Sequence, residues 1–290
     1  MSDTVRTGET VADARVDVHT GATTYVVGSR QDRPNLPETT CPFCPGGLEA
    51  PEPYDVRWFE NRWPAMPDGR CEVVLYTPDH DATFWSLGVA GARRVIDLWA
   101  ERSAELGARP DVAYVLVFEN RGPDVGATIP HPHGQIYAFP FVPELPLREL
   151  ERGTTFDDPG DRVVATAPGW RAWVPAASRS PYALTVVTDE EVPDLPSLDG
   201  AGRDALALVL VDVLERLDRL FDAQTPYMLW IHQRPFDGGD WPFARLHVEI
   251  VSPWRGPGVP RYIAAGELGS GVFFNPVAPE EAAQALRDAL

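Results

Sequence analysis

The 290-residue chain contains no lysine, and all 25 of its basic residues are arginine. A P-loop cannot be built without its lysine, nor a lysine Schiff base with a carbonyl substrate, so composition closes both chemistries. Positive charge is scarce overall. Acidic residues number 43, the net charge is −18 and the pI is near 4.6. Nucleic-acid backbones and anionic membrane faces select basic surface, which argues against both as partners. Small phosphorylated ligands stay open, because a few local arginines suffice and the planar guanidinium suits phosphate. No apolar run approaches the roughly 20 residues of a membrane-spanning helix. Residues 1–15 are polar, lack the apolar centre of a signal peptide and read as a frayed leader. A cytoplasmic protein is the default. Cysteine is limited to three residues, an odd count that argues against a disulfide framework.

Two of the cysteines form Cys41-Pro42-Phe43-Cys44, followed by Pro45-Gly46-Gly47. A C-x-x-C is either a redox pair or half of a zinc site. Redox versions usually open a helix, whereas these prolines and glycines mark a knuckle-like loop. That context favours metal, provided two further ligands exist. Cys71 stands alone and is most simply a small apolar residue.

The densest chemistry lies in Ile129-Pro130-His131-Pro132-His133-Gly134-Gln135-Ile136. In an extended strand alternate side chains share a face, so His131, His133 and Gln135 project together. Pro132 favours a strand end or edge. Gly134 is expected to leave room beside His133 for a bulky ligand. An approachable imidazole beside a neutral amide suits chemistry at phosphorus.

Hydrophobic periodicity predicts strands near 25–27, 55–59, 72–76, 112–118, 182–188, 227–233 and 247–250. It predicts amphipathic helices over 92–106 and 206–221, and a short one over 279–290. The second half repeats the order of the first: Thr188 answers Thr77, Tyr227 answers Tyr114 and His247 answers His133. An internal duplication explains this. The expected class is α+β, mostly antiparallel sheet with helices packed on one side. The expected units are residues 1–150 and 151–290, with a linker over 143–161. In the second copy Arg245 stands where His131 does and Glu249 where Gln135 does, so only the first keeps the full constellation.

The stretches His131-Pro132-His133-Gly134-Gln135-Ile136, Phe118-Glu119-Asn120-Arg121-Gly122, Cys41-Pro42-Phe43-Cys44 and Thr77-Pro78-Asp79-His80 resemble the galactose-1-phosphate uridylyltransferase family, a branch of the histidine-triad superfamily. The resemblance implies a HIT-like fold of two tandem pseudo-symmetric repeats. It implies that His133 attacks the α-phosphorus of a UDP-sugar, forms a uridylyl-histidine and passes the uridylyl group to a second sugar 1-phosphate. Neutral imidazole is available near pH 7, since its reference pKa is about 6.5. A phosphate leaves readily, so Gln135, which cannot release a proton, suits the step by hydrogen-bonding a nonbridging oxygen.

The resemblance assigns structural zinc to Cys41, Cys44, His80 and His131. A second metal, iron or zinc, would take Glu149, His232, His247 and Glu249, the last a departure from the usual histidine. Phosphate, ribose and sugar contacts would fall to Arg30, Arg33, Asn61, Asn120, Thr128, Arg261, Tyr262 and Glu267. The family is usually dimeric, which implies a homodimer taking a UDP-sugar and a sugar 1-phosphate. Arg62 and Arg261 replace an aspartate and a lysine seen in relatives, which keeps a related ADP- or GDP-sugar phosphorylase or adenylyltransferase open. A zinc-stabilised nucleotide-binding protein without turnover is the alternative from another class.

Overall fold

The computed structural model describes residues 12–32 and 41–290. Thirteen strands and five α-helices follow in order: β1 Ala12–Val16, β2 Thr23–Val27, β3 Arg57–Glu60, β4 Cys71–Leu75, α1 Gly88–Gly107, β5 Tyr114–Arg121, β6 His133–Phe139, α2 Glu144–Glu151, β7 Val163–Ala167, β8 Trp170–Trp173, β9 Leu184–Thr188, α3 Gly200–Phe221, β10 Tyr227–His232, β11 His247–Val251, β12 Trp254–Gly256, β13 Val259–Pro260, α4 Ala265–Ser270 and α5 Pro279–Arg287. The α+β class is observed. Nine strands form one antiparallel sheet in the order β3-β4-β6-β5-β10-β11-β9-β8-β7. That order is nearly palindromic about the β5–β10 seam, where Met228 faces Asn120 and Trp230 faces Phe118.

The period of two along each strand gives the sheet two unlike faces. Val74, Val117, Ile136, Leu229 and Val248 point to one side, where α1 and α3 cover them. The helices supply Val95, Ile96 and Trp99 from α1 and Leu206, Leu210, Val213 and Leu217 from α3, all fully buried at the spacing read from the sequence. Asp199 caps α3 by accepting from the Gly202 amide at 2.7 Å. The opposite face carries His133, Gln135 and Tyr137 of β6, which stay half-buried while Gly134, Ile136 and Ala138 are buried. A second, smaller apolar cluster of Phe43, Ala50, Val73 and Leu75 underlies the cysteine loop on that face.

Several expectations change. Residues 12–15 are not a frayed leader; they pair with β2 as the hairpin β1–β2. The stretch 143–161 is not a bare linker, because α2 forms within it and buries Pro146 and Leu150. The hairpin β7–β8, turned at Gly169 with φ 73°, was not foreseen, since these short strands show no clean alternation. Gly134 leaves no room on the ligand side. Its missing side chain would point at the helix face, where a Cβ would meet the Tyr76 hydroxyl at 2.2 Å.

Candidate active site and metal centres

The cysteine loop is shaped by its backbone. A Cβ on Gly47 would lie 2.6–2.8 Å from the carbonyl oxygens of Cys41, Pro42 and Cys44, so only glycine allows so tight a knuckle. The loop carries Cys41 and Cys44 to His80 and His131, and the four donor atoms lie within 4.8 Å of one another. Cys44 Sγ is 3.5 Å from His80 Nδ1 and 3.6 Å from His131 Nδ1. A tetrahedron with Zn–S of about 2.3 Å and Zn–N of about 2.0 Å has S···N edges of roughly 3.5 Å, so the spacing fits zinc.

The ring of His131 is oriented for that role. Its Nε2–H donates to the Thr77 carbonyl at 2.8 Å, which directs Nδ1 at the thiols. Burial, as the main cause, lowers the pKa of His131, which favours the neutral imidazole that binds metal. Tyr54 holds the surround together: its hydroxyl donates to Phe43 O at 2.6 Å and lies 2.9 Å from Thr77 O and 3.0 Å from His131 Nε2. Without a cation the Cys44 thiol is pushed up to about 11 by burial and by its neighbour Cys41. A divalent ion reverses that by stabilising the thiolate.

His133 opens β6 on the same side, with Phe43 in edge contact at 5.0 Å between ring centres. Its Nδ1–H donates to the His131 carbonyl at 2.7 Å, so in the neutral ring Nε2 carries the lone pair. Gln135, two residues along, accepts from Asn61 Nδ2 at 3.4 Å and so keeps its own amide donors for another partner. A cavity of about 390 Å³ opens over these groups, within the usual range for small-molecule sites. Phe43, Phe59, Val73 and Ile129 line it with carbon, while Asn61, Arg62 and Thr128 supply polar groups. Arg62 is paired to Glu49 at 2.7 Å on its wall.

The expected contacts divide. Asn61, Thr128, His133 and Gln135 share this cavity, and Asn120 and His133 line a smaller crevice beside it. Arg30 lies outside the cavity, in the turn after β2. Arg33 falls outside the described residues. Arg261 and Glu267 are not brought to the cavity; they form a buried ion pair with each other at α4. Two backbone amides, of Ala264 and Phe274, hold the Glu267 carboxyl below its usual range. Tyr262 is 81% exposed. Tyr54 and Glu49 escaped the sequence reading, and Phe43 entered it only by position between the two cysteines; the knuckle read from Gly46-Gly47 is observed at Gly47.

Across the seam, Glu149, His232 and His247 form a second cluster within 4.8 Å. Glu149 Oε2 is 2.7 Å from His232 Nδ1 and 3.6 Å from His247 Nε2. Burial alone would raise the Glu149 carboxyl, but hydrogen bonds to both histidines, and their charges, hold it down to about 2. Burial opposes charge on His247 too, and the Glu149 carboxylate raises its pKa above normal. Glu249 is not part of this three-ligand set; it lies further along β11, opposite Trp230. Its carboxyl is raised, chiefly by burial. The pseudo-symmetry extends to detail. His247 Nδ1–H donates to Arg245 O at 2.8 Å, as His133 does to His131 O. Phe156 edges His247 as Phe43 edges His133. Arg245 donates to Thr188 O at 2.5 Å, as His131 does to Thr77 O.

The family profile described as galactose-1-phosphate uridyl transferase, N-terminal domain, matches residues 60–143. The galactose-1-phosphate uridylyltransferase of Thermotoga maritima is 35% identical, with 91% of this chain and 94% of that protein covered. The enzyme of the same name from Streptomyces lividans is 38% identical, covering 87% of this chain and 79% of its own length. A solved uridylyltransferase superposes with a TM-score of 0.86 at 28% identity, covering 95% of this chain and 98% of that one. An ADP-glucose phosphorylase from Arabidopsis thaliana shares the fold at a TM-score of 0.75 and 20% identity, covering 96% and 99%.

Proposed function

The chain belongs to the galactose-1-phosphate uridylyltransferase family, and from that premise we propose that it exchanges a uridylyl group between UDP-glucose and galactose 1-phosphate through His133. The observation that carries this reading is the Nδ1–H bond from His133 to the His131 carbonyl at 2.7 Å, which fixes the ring of a histidine that lines the cavity beside Gln135. In the first half-reaction Nε2 forms a bond to the α-phosphorus. The bond to the departing glucose 1-phosphate breaks, and that phosphate takes the electron pair. In the second half-reaction galactose 1-phosphate supplies an oxygen to the same phosphorus, the P–N bond breaks and the imidazole is restored. No proton need be delivered to the leaving phosphate, whose second pKa is about 6 for comparable esters. Gln135 Nε2 donates to a nonbridging oxygen as charge builds. Asn61 and Thr128 hold the nucleotide, and Asn120 the phosphates.

Cys41, Cys44, His80 and His131 hold zinc, whose contribution is structural: it ties the cysteine loop and the turn at His80 to the residue two before the nucleophile. Glu149, His232 and His247 suit a second iron or zinc, being two imidazoles and a carboxylate. Arg30, Arg33, Arg261, Tyr262 and Glu267 would act across a homodimer interface. The near-palindromic strand order supports a duplication with its boundary near residue 150. Among the described residues no helix is long and apolar enough to cross a membrane, and we read the protein as cytoplasmic.

A second reading, transfer of an adenylyl or guanylyl group, draws on Arg62 and Glu49. Their ion pair offers a donor and an acceptor at the cavity wall, as a purine edge requires. Intact mass after incubation with UDP-, ADP- and GDP-glucose separates the readings. A uridylyl adduct present in the wild type and absent in His133→Ala supports the first. An adduct only from a purine donor supports the second, and no adduct from any donor refutes both.

A further inference from the structure

Beneath the nucleophile, on the helix face of the sheet, lies a buried polar cluster that no step above uses. The register sets Glu119 of β5 across from Gly134 of β6, and Val74 of β4 on the other side. Gly134 has no side chain to fill the row. The phenol of Tyr76, just past β4, fills it instead, so that a Cβ at 134 would meet its oxygen at 2.2 Å. Phe84 and Trp99 grip the Tyr76 ring edge-on at 5.6 and 5.8 Å between centres. Glu119 is 3% exposed and accepts from the Tyr227 hydroxyl at 2.7 Å. Tyr76 Oη, Glu119 Oε2 and Trp99 Nε1 are buried without a partner at ordinary hydrogen-bond geometry, yet Tyr76 and Glu119 are near enough to shift each other's titration. Burial pushes the Glu119 carboxyl up to about 7, against the Tyr227 hydrogen bond and the charge of Arg121.

Such a cluster is costly unless it specifies something. Its location suggests what. Gly134 sits between His133 and Gln135, whose side chains leave the opposite face of the same three residues. Whatever touches the Gly134 Cα from below sets the height at which both groups stand in the cavity. We propose that Tyr76, gripped by Phe84 and Trp99, is a positioning residue for the transfer reaction: its hydroxyl, seated in the gap at Gly134, fixes the placement of His133 and Gln135. The inference rests on uridylyl transfer through His133.

The test is a double-mutant cycle on kcat and KM for UDP-glucose with galactose 1-phosphate. Gly134→Ala drives a methyl into the phenol and lifts the strand. A misplacement on the order of 1 Å costs roughly 10²-fold in kcat, while KM, set chiefly by Phe43, Phe59, Asn61 and Thr128 on other segments of the cavity wall, stays near wild type. Tyr76→Phe in the same chain removes the clashing oxygen, and kcat recovers by roughly tenfold, the coupling expected of residues in contact. Recovery is partial, because Tyr76 Cζ and Phe118 O would both remain 3.1 Å from the new Cβ. A Gly134→Ala protein with wild-type kcat, or one whose loss Tyr76→Phe does not relieve, overturns the proposal. Should Gly134→Ala fail to fold, Tyr76→Phe alone decides: a lower kcat at unchanged KM sustains the proposal, and an unchanged kcat overturns it. An inactive wild type overturns the function itself, whereas an active wild type with indifferent variants overturns only the positioning role.

Discussion

Glu119→Gln is expected to stabilise the protein increasingly as pH rises from 4.5 to about 7, and to leave it unchanged below pH 4.5. The carboxyl is buried against Tyr76, Tyr227 and Arg121, with Trp99 of α1 near the phenol and Asp218 of α3 paired to Arg121. Burial, the largest influence, raises its pKa from 4.5 to about 7. The folded state therefore holds this proton more tightly than the unfolded chain does. Below pH 4.5 both states are protonated and nothing is lost. Between 4.5 and 7 the unfolded chain releases the proton first, so stability falls as pH rises; above 7 the loss is complete and constant. At about 1.36 kcal/mol per pH unit, the interval amounts to about 3 kcal/mol. Glutamine keeps the shape and stays neutral, so the variant escapes this loss. For a chain of this size the difference corresponds to roughly 5 °C in Tm. Tyr76 and Tyr227 titrate well above this window, so they do not confuse the comparison. Thermal unfolding of both proteins from pH 4.5 to 8 makes the measurement. Curves that run parallel across that range would refute the account of a neutral, buried Glu119.

Other outcomes follow from the same geometry. Gln135→Ala should lower kcat by roughly 10²–10³-fold with little change in fold, as loss of one oxyanion donor does; steady-state kinetics read it, and an unaltered kcat would remove Gln135 from the chemistry. Cys44→Ser should lower the zinc content measured by elemental analysis and reduce Tm, because binding energy at a structural site is folding energy; full zinc retention would contradict the ligand set. Glu72→Ala should destabilise by about 1–3 kcal/mol, since Arg102, 5% exposed and bonded to Glu72 at 2.7 and 2.9 Å, would keep only the more exposed Glu105 as counter-charge; chemical denaturation measures it, and an unchanged stability would show that Glu105 alone neutralises Arg102.

Much of this protein is legible in its sequence. The closely spaced histidines, the paired cysteines and the repeated strand order lie within short windows or recur at a fixed distance, so local pattern exposes them. The helices over Ala92 to Leu106 and Leu206 to Phe221 were equally plain, because a covered helix needs a continuous apolar stripe. The short strands β7 and β8 and the helix α2 were not, because their identity depends on the neighbours they pack against. The meaning of Gly134 was likewise hidden. A glycine in a sequence says that space is needed, and only the fold says on which side: here for the Tyr76 hydroxyl and not for a ligand.

The identities of the chemical groups, and the shared face of His133 and Gln135 on β6, were legible in the sequence; His131, which spacing alone would place on that face, lies before the strand, buried in the cluster with Cys41, Cys44 and His80. Residues two apart on a strand share a face whatever surrounds them. That His133 Nδ1 is held by the His131 carbonyl, that Tyr54 and Thr77 orient His131, and that Arg261 is paired to Glu267 away from the cavity were decided by tertiary structure. Those facts depend on contacts between residues distant in the chain, and spacing along a sequence carries no record of them.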